Sequence, residues 1–307
     1  MKSFMYHYVR ENSEEYPFSR YKGLQDFIRE VSFIKKTNSF LNTSDAINEK
    51  NLKNHKNIVI LTFDDGLKDH LKVAELLKEK NISATFYIST NPLTKRKLLH
   101  VHKAHLITSK FGPESINILK KVIDNLNLSL EEFENKNEKN IFQSRYDAHN
   151  DFDEIKLFKK IINYYGSIGL RDQLLDEILR IKNIKSDVNS FYLTKKEINY
   201  ISSLGFEIGS HGVSHNPMSR LKEKAQFEEL KISKKFLENI IKKPITSFCY
   251  PYGRKNSYNQ VTINFLRENN YKNAITVDYR DISDKDINNK YEIPRYDCNE
   301  IKKIFNI

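Results

Sequence analysis

Three short stretches hold residues whose types and spacing can do chemistry. Thr62-Phe63-Asp64-Asp65-Gly66 sets two adjacent carboxylates directly after an apolar run. Such a pair is costly at the end of a buried segment unless a cation or hydrogen-bond donors receive it, although Asp-Gly also suits an ordinary solvent-facing turn. Ser210-His211-Gly212-Val213-Ser214-His215 carries two histidines four positions apart. At that spacing two imidazoles can face one cation, on a helical turn or in a tight loop. Gly212 inside and Pro217 just beyond argue for the loop. His211, His215 and one aspartate would make three protein ligands with a position left for water, the layout of a catalytic metal. Imidazole with carboxylate suits Zn²⁺ or a neighbouring transition metal better than Ca²⁺ or Mg²⁺. The third stretch, Phe248-Cys249-Tyr250-Pro251-Tyr252-Gly253, clusters aromatics around Pro and Gly. It can wall a groove for a sugar ring and aim a backbone N–H into it, or it can be simply a turn.

These stretches need elements that bring them together. Ile58 to Phe63 is a continuous apolar run of strand length, the pattern of a strand buried on both faces. Leu71, Ala74, Leu76 and Leu77 predict a helix over residues 69–80, and 84–88 reads as a second strand. That is a βαβ unit, hence a parallel sheet. The alternation returns with helices at about 194–204, 221–241 and 260–269, and strands at 206–210, 247–250 and 274–278. A first strand is expected over 3–9, a helix over 23–36 and a last strand over 292–296. Five of the nine glycines (Gly66, Gly205, Gly209, Gly212 and Gly253) fall in or beside the three stretches, at strand ends. Parallel α/β folds gather ligands at the carboxyl ends of their strands, so the three stretches read as one site. From 91 to 188 the strand signal nearly vanishes, and amphipathic helices are expected over 114–126, 153–165 and 170–182. The expected organisation is an α/β domain of residues 1–90 and 189–307 with a helical insertion, 91–188; a separate α domain interrupting the first is the alternative.

Composition narrows the company this chain keeps. Among 307 residues, 51 are basic and 40 acidic, a net charge of +11 that favours anionic partners. The basic residues are scattered and not interleaved with aromatics, so they read as a solvated surface and no nucleic-acid partner is expected. Mean hydropathy is −0.63, and the most apolar stretch, Ile58-Val59-Ile60-Leu61, is far too short for a bilayer span. The opening residues lack the apolar core of a secretory signal, so a cytoplasmic location is expected. Cys249 and Cys298 read as small buried hydrophobes, with one mutual disulfide as the alternative.

TFDDG, HxxxH and YPYG, each closing a strand and in this order, resemble the polysaccharide deacetylase family (carbohydrate esterase family 4, the NodB-homology domain). The resemblance covers residues 58–88 and 205–296 and leaves 91–188 unexplained; Met5-Tyr6-His7-Tyr8-Val9 is similar to the first strand of many members. It implies a distorted (β/α) barrel that removes acetyl groups from N-acetylated sugars with one divalent metal ion. It implies Asp64 as general base, Asp65, His211 and His215 as metal ligands, and Pro251, Tyr252 and Gly253 as groove wall and oxyanion-binding backbone. The chemistry fits, because an acetamide is a poor electrophile. A metal would polarise its carbonyl and acidify a water, a carboxylate would take the proton, and the tetrahedral oxygen would need the metal and a backbone N–H.

Two departures stand out. Where many members carry an arginine before Pro-Tyr-Gly to steady the base, this chain has Cys249 and Tyr250. Arg295, in Ile293-Pro294-Arg295-Tyr296, is a candidate to supply that charge, against a reading as an ordinary surface arginine. The family's late Leu-x-His, whose histidine often acts as general acid, has no counterpart, because no histidine follows His215. His7 is then the candidate donor to the leaving amine. His100, His102 and His105 are others, and Asp64 itself can deliver the proton it took. The expected function is removal of an N-acetyl group from a nucleotide-linked, lipid-linked or glycan-precursor amino sugar in cell-surface polysaccharide biosynthesis. Phosphate on such a substrate suits the basic charge, and a lipid carrier implies peripheral contact with the inner membrane leaflet. A catalytically silent carbohydrate- or partner-binding member, or a hydrolase of a non-sugar C–N bond, are the competing expectations. The insertion is expected to be a lid or wall beside the metal, with Lys95, Arg96 and Lys97 meeting a substrate phosphate; an element for dimerisation or stability is the alternative.

Overall fold

The apolar run Ile58–Phe63 is buried at every position and forms β3, the strand around which the others are laid. The structure is a computed structural model that describes residues 1–11, 13–48, 57–129, 131, 139, 143–144, 146–147, 151–185 and 187–307. One edge of β3 pairs with β1 (Lys2–Tyr6), from Lys2 opposite Val59 to Tyr6 opposite Phe63. The other edge is shared between β2 (Ser39–Leu41) along its first half and β4 (Thr85–Ile88) at Thr62 and Phe63. Beyond β4 come β5 (Glu207–Ser210), β6 (Ser247–Cys249) and β7 (Asn273–Ile275), while β8 (Tyr296–Asp297) pairs with β1. Every pairing between these strands is parallel.

The two ends of this path meet in one short segment. Ile293 bridges to Ile275 of β7, and the Thr276 N–H donates to the Ile293 carbonyl at 2.8 Å. Three residues on, Tyr296 stands opposite Phe4 of β1. The sheet thus curls into a distorted (β/α) barrel, closed by residues 293–297. The last strand is shorter and later than the expected 292–296, because this stretch divides its pairing between two neighbours.

Strand alternation sorts the side chains into two layers. Phe4, Tyr6, Val59, Leu61, Phe63, Phe86, Phe248 and Ala274 pack against the helices. Ile58, Ile60, Tyr87, Cys249, Ile275 and Ile293 form a separate cluster on the opposite face, inside the barrel. The helix layer includes a stack in which Phe63 lies 4.9 Å from Phe86 and 5.3 Å from Tyr6 between ring centroids. The helices are placed by the same patterning. In Asp69–Glu79 the buried residues are His70, Val73, Ala74 and Leu77, one helical stripe. Lys195–Ser203 is started by a capping box between Thr194 and Glu197, and Gln260–Glu268 by one between Asn259 and Thr262. Inside the barrel Gly209 lets β5 approach β4: a Cβ there would sit 2.3 Å from the Tyr87 ring.

The chain divides into two compact units. The first, residues 1–11, 21–97 and 188–307, holds all eight strands. In the second, residues 12–20 and 98–187, the main elements among the described residues are the helices His100–Phe111, Ser115–Asn125, Asp153–Lys160 and Ile168–Ile181. Residues 12–20 join it because the Phe18 N–H donates to the Ser109 carbonyl at 3.0 Å and its ring covers Gly112. Lys95, Arg96 and Lys97 fall in the barrel unit, where all three are exposed. Among the described residues no helix is long and apolar enough to cross a membrane.

Candidate active site

Counting by twos along the strands explains how the site assembles. Ile58 and Ile60 face into the barrel, so Thr62 and Asp64, one residue past β3, continue that face. On β5 the same count runs from Glu207 through Gly209 to His211, on β6 it ends at Cys249, and in the closing segment it runs from Ile293 to Arg295. Four strand ends therefore deliver Asp64, His211, Cys249 and Arg295 to one end of the barrel, all of them buried.

Asp65, His211 and His215 come together as a set. The His211 N–H donates to the Ile88 carbonyl, extending the β4–β5 ladder by one bond. Its Nδ1 lies 2.7 Å from the Cys249 carbonyl. A carbonyl only accepts, so Nδ1 carries a hydrogen and Nε2 is the nitrogen that a metal would take. That Nε2 is 3.3 Å from Asp65 Oδ1, and His215 Nε2 is 3.2 Å from the same oxygen. Two ligands about 2.0–2.1 Å from a tetrahedral centre stand roughly 3.3–3.4 Å apart, so the spacing and the donor types both fit a transition-metal ion. Asp65 and His215 each hold φ in the left-handed region, at 79° and 59°. For residues other than glycine that costs on the order of 1 kcal/mol each, and such strain gathers at functional sites.

Asp64 belongs to a different partner. Arg295 Nη1 donates to Oδ1 at 2.9 Å and Nη2 to Oδ2 at 2.8 Å, and the guanidinium also donates to Thr62 Oγ1 and the Thr276 carbonyl. Arg295 is 1% exposed and Asp64 2%. Burial alone would raise the Asp64 carboxyl, but the Arg295 charge, helped by His211 and His7, overrides it and holds the group down at about 2. Burial opposes the charge on Arg295 as well, and Asp64 more than compensates, moving its proton affinity above the ordinary range. Both cysteines are free thiols.

The remaining candidates take up nearby and distant places. His7 follows β1, half-buried, and lies close enough for its charge to act on Asp64. Its backbone carbonyl faces His70 Nε2 at 2.9 Å, so that nitrogen carries a hydrogen. His70 was not among the sequence candidates, although a histidine in register with Val73, Ala74 and Leu77 was a readable sign of a buried imidazole. The Tyr252 ring stands 5.1 Å from the His215 ring between centroids, and Pro251 is buried. Tyr252 and Gly253 are both left-handed, at φ 63° and 61°. A Cβ at Gly253 would come 2.6 Å from Val277 Cγ2, so the tight turn requires glycine. His100, His102 and His105 belong to the helical unit, the first two buried there.

A barrel of parallel strands with two carboxylates and two histidines at its strand ends defines a class of hydrolytic site, and comparison gives the family. The polysaccharide deacetylase family model matches residues 51–117 and 179–274, more than half of the chain, and this protein belongs to that family. YxkH from Bacillus subtilis is 28% identical over 94 residues, a match spanning 31% of this chain and 33% of that relative. Among solved structures, Streptococcus pyogenes deacetylase PplD shares the fold at a TM-score of 0.60 and 17% identity, over 97% of this chain and 91% of that one. IcaB from Ammonifex degensii does so at 0.58 and 12%, over 99% and 94%.

Proposed function

We propose that this protein is a metal-dependent hydrolase that removes the N-acetyl group from an acetylated amino sugar. The observation that carries the reading is the convergence of His211 Nε2 and His215 Nε2 on Asp65 Oδ1, beside an aspartate held by a different partner. Asp65, His211 and His215 would hold one divalent ion, Zn²⁺ by their donor types. Bound there, such an ion polarises an acetyl carbonyl and acidifies a water. Asp64, ionised at neutral pH, accepts the water's proton as its oxygen attacks the carbonyl carbon. The backbone N–H at Tyr252 or Gly253 would meet the charge that develops on the acetyl oxygen, and Pro251 and Tyr252 would wall the sugar. As the C–N bond breaks, His7 donates a proton to the leaving amine, giving acetate and a free amino sugar. PplD, a deacetylase of the same fold, has been solved in complex with acetate, which is the product expected here.

The proposed substrate carries phosphate, as a nucleotide sugar or a polyprenyl-phosphate-linked sugar does, and would be met in the cytoplasm or at the inner leaflet. The exposed Lys95, Arg96 and Lys97 support this, because they end and follow the short helix Asn91–Lys95, which begins where the Asn91 N–H donates to the Val213 carbonyl, inside the histidine loop. The test is a mass-spectrometric screen of acetylated nucleotide sugars, oligosaccharides and lipid-linked sugars with the metal-loaded protein. Loss of one acetyl mass with release of acetate is expected, and it should disappear in Asp64→Asn. Failure on all three classes by fully loaded protein would overturn the reading.

A further inference from the structure

Cys249 occupies the position where an arginine was expected, and its thiol stands between the two charges of the site. The residue is fully enclosed, and its side chain points into the barrel. Arg295 Nη2 donates to Sγ at 3.1 Å, and Sγ in turn lies 3.5 Å from Asp64 Oδ2. A thiol accepts on sulfur and donates through its hydrogen, weakly in both directions. Asp64 Oδ2 is thereby flanked by a strong donor, the Arg295 guanidinium at 2.8 Å, and a weak one, the thiol. The same residue's backbone carbonyl receives the His211 Nδ1 hydrogen at 2.7 Å. One residue thus touches both halves of the site, the base through its side chain and a metal-ligand imidazole through its main chain.

We propose that Cys249 is a positioning residue for the hydrolysis, its thiol fixing the Asp64 carboxylate in the plane set by Arg295. This rests on the reading of Asp64 as the base. A weak donor suits that role, because it limits rotation of the carboxylate but competes little for the lone pair that must take up a proton. A main-chain contact survives any substitution, so the two roles separate cleanly by mutation. Replacing the thiol disturbs Asp64 and leaves His211 oriented.

The experiment compares native protein with Cys249→Ala and Cys249→Ser, all loaded with Zn²⁺, on an N-acetylated chito-oligosaccharide. Cys249→Ala should lower kcat about tenfold, a loss of about 1.4 kcal/mol, with KM and bound zinc unchanged. Cys249→Ser, which keeps a donor and an acceptor, should restore kcat to within about threefold of native. Undiminished kcat in Cys249→Ala overturns the proposal, and so does a loss that is matched by loss of zinc or of thermal stability. A second readout is independent of turnover: the S–H stretching band, isolated by infrared difference against Cys249→Ser, should shift in Asp64→Asn. An unmoved band overturns the contact. Should native protein release no acetate from this oligosaccharide, the band decides alone: a shift upholds the orientation of Asp64 by Cys249, and the deacetylase reading is decided separately by the screen of the three substrate classes.

Discussion

Arg295 holds Asp64 across 231 positions of sequence by two parallel hydrogen bonds, and neither side chain has appreciable contact with solvent. Breaking such a pair from one side strands a charge in the barrel interior, where water cannot replace the lost partner. Arg295→Met should therefore destabilise the protein by about 3–5 kcal/mol, read as a lower denaturation midpoint at unchanged slope. The double variant Arg295→Met with Asp64→Asn should recover part of that loss, because it buries no unpaired charge. Strict additivity of the two single effects would contradict the account.

The two aspartates should part company when each loses its charge. Asp65→Asn, His211→Ala and His215→Ala should each lower bound zinc, measured by atomic emission after dialysis against a mild chelator. Asp64→Asn should keep its zinc and, although destabilised by the unpaired Arg295, its fold, while losing on the order of 10²-fold or more in turnover, since an amide nitrogen cannot accept the water's proton. Equal zinc loss from both aspartate variants would remove the division of labour.

At the opposite end of the barrel, Glu207 accepts from the Ser44 N–H at 3.0 Å, the Ser44 hydroxyl and the Thr85 hydroxyl at 2.8 Å. The residue as a whole is half-buried, but its carboxyl group is enclosed, and that burial raises its pKa above the ordinary 4.5 in spite of these donors. The folded state then keeps a proton that the unfolded state has already released. Stability contributed by this group is present below 4.5 and declines as pH rises from there through the folded value. Glu207→Gln should flatten the fall in unfolding free energy above pH 4.5, measured by urea titration at a series of pH values. Parallel curves for native and variant would refute it.

Neutralising Lys95, Arg96 and Lys97 together should raise KM for a phosphorylated acetylated sugar and leave KM for a neutral oligosaccharide within about twofold, because only the former carries the anion they would meet. Equal changes on both substrates would remove these residues from substrate recognition.

Much of this site was legible because its pieces are local. TFDDG follows a run that can only be a buried strand, and the glycines beside it, in HGVSH and in YPYG mark turns that need left-handed backbone. What escaped the sequence is long-range. β2 is three residues long, one of them polar, too short for a periodic signal. Whether Arg295 was a surface residue or a partner of Asp64 depended on closure of the barrel, which no window of sequence contains. Cys249 read as a small hydrophobe, and burial was the half of that reading the structure supports; its polar neighbours arrive from β3 and from the closing segment. Residues 12–20 carried no sign of their company with 98–187, because Tyr16 and Phe18 stand in an otherwise polar stretch with no helical or strand period.

The seam of the barrel and the grip on Asp64 are one piece of chain. Ile293 ties to β7, Tyr296 ties to β1, and Arg295 sits between them with its guanidinium on the carboxylate. During synthesis Asp64 emerges more than two hundred residues ahead of its counter-ion. A nascent chain short of that point holds an aspartate with no guanidinium to hold it and a sheet whose ends have not met. On the role proposed for Asp64, catalytic competence would be contingent on ring closure: the final crossover would arm the site, and a molecule that has not finished folding would lack an oriented base.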